Sequence, residues 1–284
     1  MGKIKTTHVG SLPRSKKLSE ILFKKDKNEQ FNQDELDKII EEDVNKIVKK
    51  QIDIGIDIIS DGEMSKISYA TYVKDRLHGF SGESERRAPK DLDDFPSYKE
   101  KIAKSGGTPT YTRPCCTADL KIKDTKSLTK DISNLKSALK KNNHSQAFIN
   151  SASPGVISNF LPNKFYKNDD DYLQILSKMM KSEYEEITNN DLLLQIDCPD
   201  LALARHMTFK NVSDEQFLER AEKQIECLNE AIKDIDSTKL RIHICWGNYE
   251  GPHIHDIGLE RILPIALKAN AVSYTHLTLP TNIG

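Results

Sequence analysis

Short, nearly continuous apolar runs alternating with amphipathic helical stretches constrain this chain most. The runs at 4–9, 56–60, 115–122, 146–150, 192–197 and 240–246 read as strands. Between them apolar residues recur at helical spacing. The clearest helix is expected over 34–54, where Leu36, Ile39, Ile40, Val44, Ile47, Val48 and Ile52 share one face. Further helices are expected over 69–77, 170–188, 214–235 and 259–268. Repeated β-then-α units with strands apolar on both faces call for a parallel sheet covered by helices. The expected class is α/β.

Residues 64–114 break this rhythm. A connection this long far exceeds an ordinary βα loop, and long insertions often cover a binding site. Composition narrows the function classes. With 42 basic and 43 acidic residues the net charge is -1, which offers no patch for nucleic acid or an anionic membrane. No apolar run approaches the roughly 18 residues of a membrane span, and the N-terminus lacks a secretory apolar region. The five cysteines are odd in number and scattered, which argues against a disulfide framework. A soluble, cytoplasmic enzyme acting on small molecules is expected.

The polar residues of interest fall at strand C-terminal ends. Ser11 follows the first strand, Glu63 the second, Asp197 closes the fifth, and His243 and Cys245 close the sixth. In a parallel barrel these ends converge on one mouth, where substrates bind. Strand side chains alternate faces, so His243 and Cys245 share one face while Ile242, Ile244 and Trp246 share the other. An imidazole beside a thiol suits zinc, and a catalytic zinc takes one more protein ligand and an open position. A core thiol beside a hydrogen-bonded histidine is the competing reading of that spacing. Glu63 or Asp197 taken singly could equally cap a helix. His253 and His255 (GPHIHD) could bind a metal in a loop but read better as a turn before a helix, and Cys227 reads as a core thiol. Cys115 and Cys116 could be redox-active, although strand neighbours face opposite ways and rarely pair.

Four runs together resemble the C-terminal catalytic barrel of cobalamin-independent methionine synthase: TTHVGSLPR at 6–14, SDGE at 60–63, QIDCP at 195–199 and IHIC at 242–245. The resemblance extends from about residue 4 to 271. It implies a (β/α)8 TIM barrel of the methionine synthase/uroporphyrinogen decarboxylase type. The implied reaction moves a methyl group from 5-methyltetrahydrofolate (polyglutamate) to the sulfur of homocysteine. By the same resemblance His243 and Cys245 would be ligands of Zn2+, and Glu63 and Asp197 would hold the amino group of homocysteine. The Gly10–Ser11 backbone would hold its carboxylate. Two departures mark the chain: it matches the shorter single-barrel relatives, and Leu201–Arg205 stands where the family carries a further acid. An alkyltransferase acting on another thiol, such as coenzyme M, therefore stays open, as do a metal-free decarboxylase and a non-catalytic binding barrel.

About six of eight βα units are visible, and the family's remaining zinc ligands and proton-donating histidine belong to later strands. Residues 272–284 read as the in-frame translation of a sequencing adapter and are expected to lie outside the fold as a non-native tail, leaving 1–271 as a truncated barrel. The edges of the first and sixth strands are then expected to be unpaired, which favours aggregation, and two ligands alone would hold zinc poorly. An inactive, poorly soluble chain is expected.

Overall fold

The computed structural model describes residues 4–104, 111–247 and 251–275. Helices α1 (Lys16–Asp26) and α2 (Gln33–Asp53) precede β1 (Ile59–Ser60). Then come β2 (Leu77–Ser81), α3 (Asp91–Asp94), α4 (Pro96–Lys104) and β3 (Cys115–Ile122). The remainder alternates: α5 (Lys126–Lys141), β4 (Ala147–Ala152), α6 (Pro154–Phe160), α7 (Asp169–Asn189), β5 (Leu193–Asp197), α8 (Asp214–Ile232), β6 (Leu240–His243), α9 (Leu259–Ala266) and β7 (Ser273–Thr275). The main sheet runs β1-β4-β5-β6-β7 with every pairing parallel. This is the α/β architecture the apolar runs call for.

Helix starts follow local chemistry. The Asn32 side chain accepts the Glu35 N–H at the head of α2, and Ser213 with Gln216 closes a capping box on α8. Each such cap stabilises its helix by about 1 kcal/mol. The apolar stripe of α2 predicted from the sequence is largely buried, through Leu36, Ile39, Ile40, Val44 and Val48. In β5, Leu194 and Ile196 are fully buried in the same core cluster as Leu176, Tyr184, Phe217 and Ile225 of α7 and α8. Burying each such aliphatic side chain contributes roughly 1.5–3 kcal/mol.

The opposite face of the sheet carries polar rows. Parallel register aligns Asn150, Gln195 and Arg241, and one step further Ala152, Asp197 and His243. Arg241 Nε and Nη2 both donate to Gln195 Oε1, at 3.0 and 2.6 Å, and Nη2 also reaches Thr7 Oγ1 at 3.2 Å. Thr7 bridges to Ile58 beside β1. The sheet therefore curls until its two sides share a guanidinium, the shape of a barrel interior filled by side chains.

Several expectations need correction. The segment 4–9 forms a single parallel bridge, Thr7 to Ile58, rather than a full strand. Its neighbours are held by side chains instead, with Asp57 Oδ2 accepting from both Thr6 N and Thr6 Oγ1. Strand β3 does not enter the main sheet but pairs antiparallel with β2, and β1 pairs directly with β4. The reason is burial: only Cys115, Cys116 and Leu120 of β3 are buried, whereas a barrel strand is covered on both faces. The helix expected over 69–77 is one 3-10 turn, Tyr72–Asp75, followed by β2. There Arg76 is drawn into an ion pair with Glu183 of α7, both side chains under 10% exposed, and its guanidinium stacks 4.2 Å from the Tyr72 ring centroid. Strand β6 stops at His243, so Cys245 lies just beyond it. Its outer edge, expected to be open, pairs with β7, and Tyr274 packs on the core. Residues 276–284 of the expected tail lie outside the described residues. No helix among the described residues is long and apolar enough to cross a membrane.

Candidate active site

The turn after β1 sets the first carboxylate. Gly62 and Glu63 are both left-handed, with φ of 65° and 57°. A side chain at Gly62 would be strained by this φ, and its Cβ would come within 2.8 Å of Met64 Cε and 3.2 Å of Leu12 Cβ, which would have to shift. Asp61 Oδ1 accepts the Glu63 N–H at 2.9 Å and fixes the turn. The segment after residue 9 docks onto it, with Leu12 N donating to Gly62 O at 3.0 Å. Ser11 Oγ thereby donates to Glu63 Oε2 at 2.7 Å. Arg14 Nη2 donates to the carbonyls of Glu63 and Lys66 and ties the two loops together.

Strands β4 and β5 supply the other wall. Asn150 Nδ2 donates to Glu63 Oε1 at 2.9 Å and to Asp197 Oδ2 at 2.7 Å. Gln195 Nε2 donates to Asp197 Oδ1 at 2.7 Å. Lys66 is 2% exposed, yet its ammonium bonds Asn150 O and Oδ1, at 2.6 and 3.0 Å, instead of either carboxylate. Two buried acids are thus joined by one amide, and both are electrostatically unsettled. Burial pushes Glu63 up from its usual value. Burial, with the nearby Glu63 charge, pushes Asp197 up to about 7. Buried anions without full compensation take up protons in this way.

His243 and Cys245 lie on the adjacent strand end. His243 is the register partner of Asp197, and its carbonyl accepts the Cys198 N–H at 2.7 Å. Ile242, Ile244 and Trp246 are fully buried and His243 and Cys245 are not, as alternation requires. Burial raises the Cys245 thiol, with the charges of Asp197 and Asp256 adding to the effect. A cation beside this sulfur would relieve that repulsion, and the imidazole and thiol fit zinc in type. They do not complete a cage: among the described residues no third His, Cys, Asp or Glu clusters with them, and zinc sites use at least three protein ligands.

The structure thus joins Ser11 to Glu63 directly, links Glu63 to Asp197 through Asn150, and sets His243 and Cys245 on the strand beside Asp197. Reading the sequence missed Asn150, Lys66, Arg14 and Tyr69. Tyr69 projects from the insertion, and its hydroxyl is raised by burial and by the charges of Asp197, Cys245 and Glu63. A cavity of about 300 Å³ lies nearby, beside the loops after β4 and β5 and under the insertion. It is lined by Arg87, Arg113, Lys164, Phe160, Met207 and Asp200 among others. Burial lifts Asp200 to about 7 despite a 2.7 Å bond from Ser153 Oγ.

A curled parallel sheet with carboxylates, an imidazole and a thiol at its strand ends defines a TIM-type barrel enzyme. Residues 4–262 match the family model of the cobalamin-independent synthase catalytic domain. The chain belongs to that family, whose members are methyltransferases. A methionine synthase of Sulfolobus acidocaldarius is 25% identical over 266 residues, spanning 93% of this chain and 68% of the relative. One from Saccharolobus solfataricus is 24% identical over 260 residues, spanning 90% and 68%. A B12-independent methionine synthase from a Shewanella species, solved in complex with selenomethionine, superposes with a TM-score of 0.61 at 19% identity. That match covers 87% of this chain and 63% of the other. A putative B12-independent methionine synthase from Listeria monocytogenes gives 0.58 at 19% identity, covering 87% and 68%.

Proposed function

We propose that this barrel binds homocysteine and transfers to its sulfur the methyl group of a 5-methyltetrahydrofolate, giving methionine. The observation that carries this reading is the Glu63–Asn150–Asp197 bridge, two buried carboxyls raised by desolvation whose ionisation an ammonium group would favour. An α-ammonium seated there would let both acids ionise at neutral pH. In this reading the substrate carboxylate lies against the Gly10–Ser11 turn, and Tyr69 closes over the site and excludes water. The cavity lined by Arg87, Arg113 and Lys164 suits the anionic methyl donor, its apolar wall facing the ring system. His243 and Cys245 would hold zinc together with a further ligand; when bound, the metal would favour the thiolate form of the substrate sulfur. The residues described here bind, orient and desolvate. That the Shewanella protein was solved with selenomethionine supports an amino-acid thioether as product.

A thiol carrying a sulfonate, such as coenzyme M, would place an anion against two acids, so the pocket favours the amino-acid thiol. Calorimetry decides between them. Methionine is expected to bind, more tightly as pH rises through about 7, while 3-(methylthio)propionate, lacking the ammonium, is expected to bind at least about tenfold more weakly, a difference of 1.4 kcal/mol. Equal affinity for the two, or preference for coenzyme M over homocysteine, would overturn this reading.

A further inference from the structure

Away from the Glu63–Asp197 bridge, two imidazoles and a carboxylate converge from separate parts of the chain. His206 follows the loop after β5, while His253 and Asp256 lie in the loop before α9. His206 Nδ1 is 2.7 Å from Asp256 Oδ1, and His253 Nδ1 is 3.0 Å from Asp256 Oδ2. The two rings meet nearly edge-on, centroids 5.8 Å apart. One ligand atom from each of the three residues lies within 4.8 Å of the other two. His206 is fully buried, and the side chains of Asp256 and His253 are 6% and 16% exposed.

A fourth group stands close by. Asp91 of α3 is completely buried. Its Oδ1 accepts the backbone N–H groups of Ile254 and His255, at 2.6 and 3.0 Å, while Oδ2 has no hydrogen-bond partner. Two buried carboxylates against two imidazoles need positive charge, from imidazolium or from a metal ion. Nitrogen and oxygen donors in this ratio suit zinc and similar divalent ions without any sulfur.

We propose that His206, His253 and Asp256 bind a divalent cation of the zinc type, through a ligand set distinct from His243 and Cys245. Such an ion would pin the loop after β5 to the loop before α9. Through Asp91, and the ion pair of His255 with Asp94, it would also fasten both to α3 of the insertion. The centre therefore holds the cover over the strand ends.

The test uses the full chain, stripped with a chelator, checked for folding by circular dichroism and titrated with Co2+. In Cys245→Ser protein one Co2+ is expected to bind with visible d–d absorption and no sulfur-to-cobalt charge transfer. His253→Gln and Asp256→Asn are each expected to weaken that binding by at least about tenfold, the lower end of what disturbing a metal's surroundings costs. His253 is partly exposed and Asp256→Asn preserves shape, so at least one variant keeps the fold. Cobalt binding unchanged in both variants, or absent from folded Cys245→Ser protein, overturns the proposal. Binding that is retained in wild-type protein without a sulfur band supports this centre and counts only against the His243–Cys245 reading.

Discussion

Asp197 and His243 face each other as register partners on β5 and β6, which puts an acid raised to about 7 one strand spacing from an imidazole. Side chains at paired positions of parallel strands emerge on the same face, with backbones about 4.8 Å apart. Part of the behaviour of this barrel with pH follows from that acid, as it does from Asp200, also raised to about 7.

Changing Asp197 to Asn is expected to reverse part of the pH dependence of stability. In the folded chain Asp197 titrates at about 7, against 3.8 for the free group. Between those values the folded state holds a proton that the unfolded state has lost, so its contribution falls as pH rises from about 4 to 7. Relative to wild type, Asp197→Asn should gain about 1–3 kcal/mol between pH 5 and pH 8. Urea unfolding of both proteins at the two pH values measures this. A constant difference between them would show that Asp197 is not raised.

Asn150→Leu removes the donor shared by Glu63 and Asp197 while keeping the volume. Hydrogen bonds to charged groups contribute about 1.5–3 kcal/mol each, and more is lost when the acceptors stay buried. The variant should be destabilised by about 2–4 kcal/mol at pH 8 and by less at pH 5, where the acids take up protons. Chemical denaturation at both pH values reads the effect.

Arg76→Met leaves Glu183 buried without its cation. Breaking a buried pair from one side costs about 3–5 kcal/mol, whereas replacing both partners with apolar groups is often near neutral. The double variant Arg76→Met/Glu183→Met should therefore recover much of the loss, tempered by the Ser151 Oγ bond that Glu183 also accepts at 2.6 Å. A double-mutant cycle on thermal unfolding checks both statements.

Ending the chain after Ala271 removes β7 and uncovers the edge of β6. Exposed edges template intermolecular pairing. The shortened protein should aggregate at lower concentration, with faster amide exchange over Arg241–His243, measured by light scattering and hydrogen–deuterium exchange.

Much of this was legible in the sequence, for definite reasons. β5 and β6 are apolar on the helix-facing side and end in Asp197 and His243, so alternation alone placed their polar faces. Glu63 and Ser11 stood out because they follow strands. Asn150 ends its apolar run in the same manner but carries no charge, so nothing set it apart from an ordinary strand terminus. Lys66 sits in non-periodic sequence, and Tyr69 opens a stretch that reads as a helix but that the structure replaces with a 3-10 turn over Tyr72–Asp75, so neither side chain's direction can be read from spacing. β3 misled because CCTADLKI reads as a half-buried strand, a pattern that fits a ribbon as well as a barrel. His206, His253 and Asp256 are separated by up to fifty residues, and only tertiary folding brings such groups together.

Glu63 adopts a backbone shape better suited to glycine, its φ of 57° costing a residue with a side chain roughly 1–2 kcal/mol. Glycine would remove that strain and the acid with it. Position 63 is therefore a place where selection for sturdiness and selection for chemistry pull apart. A redesign guided by thermostability alone would relax this turn and yield a tougher barrel, at the cost of one of the two acids that we propose meet the substrate's ammonium group.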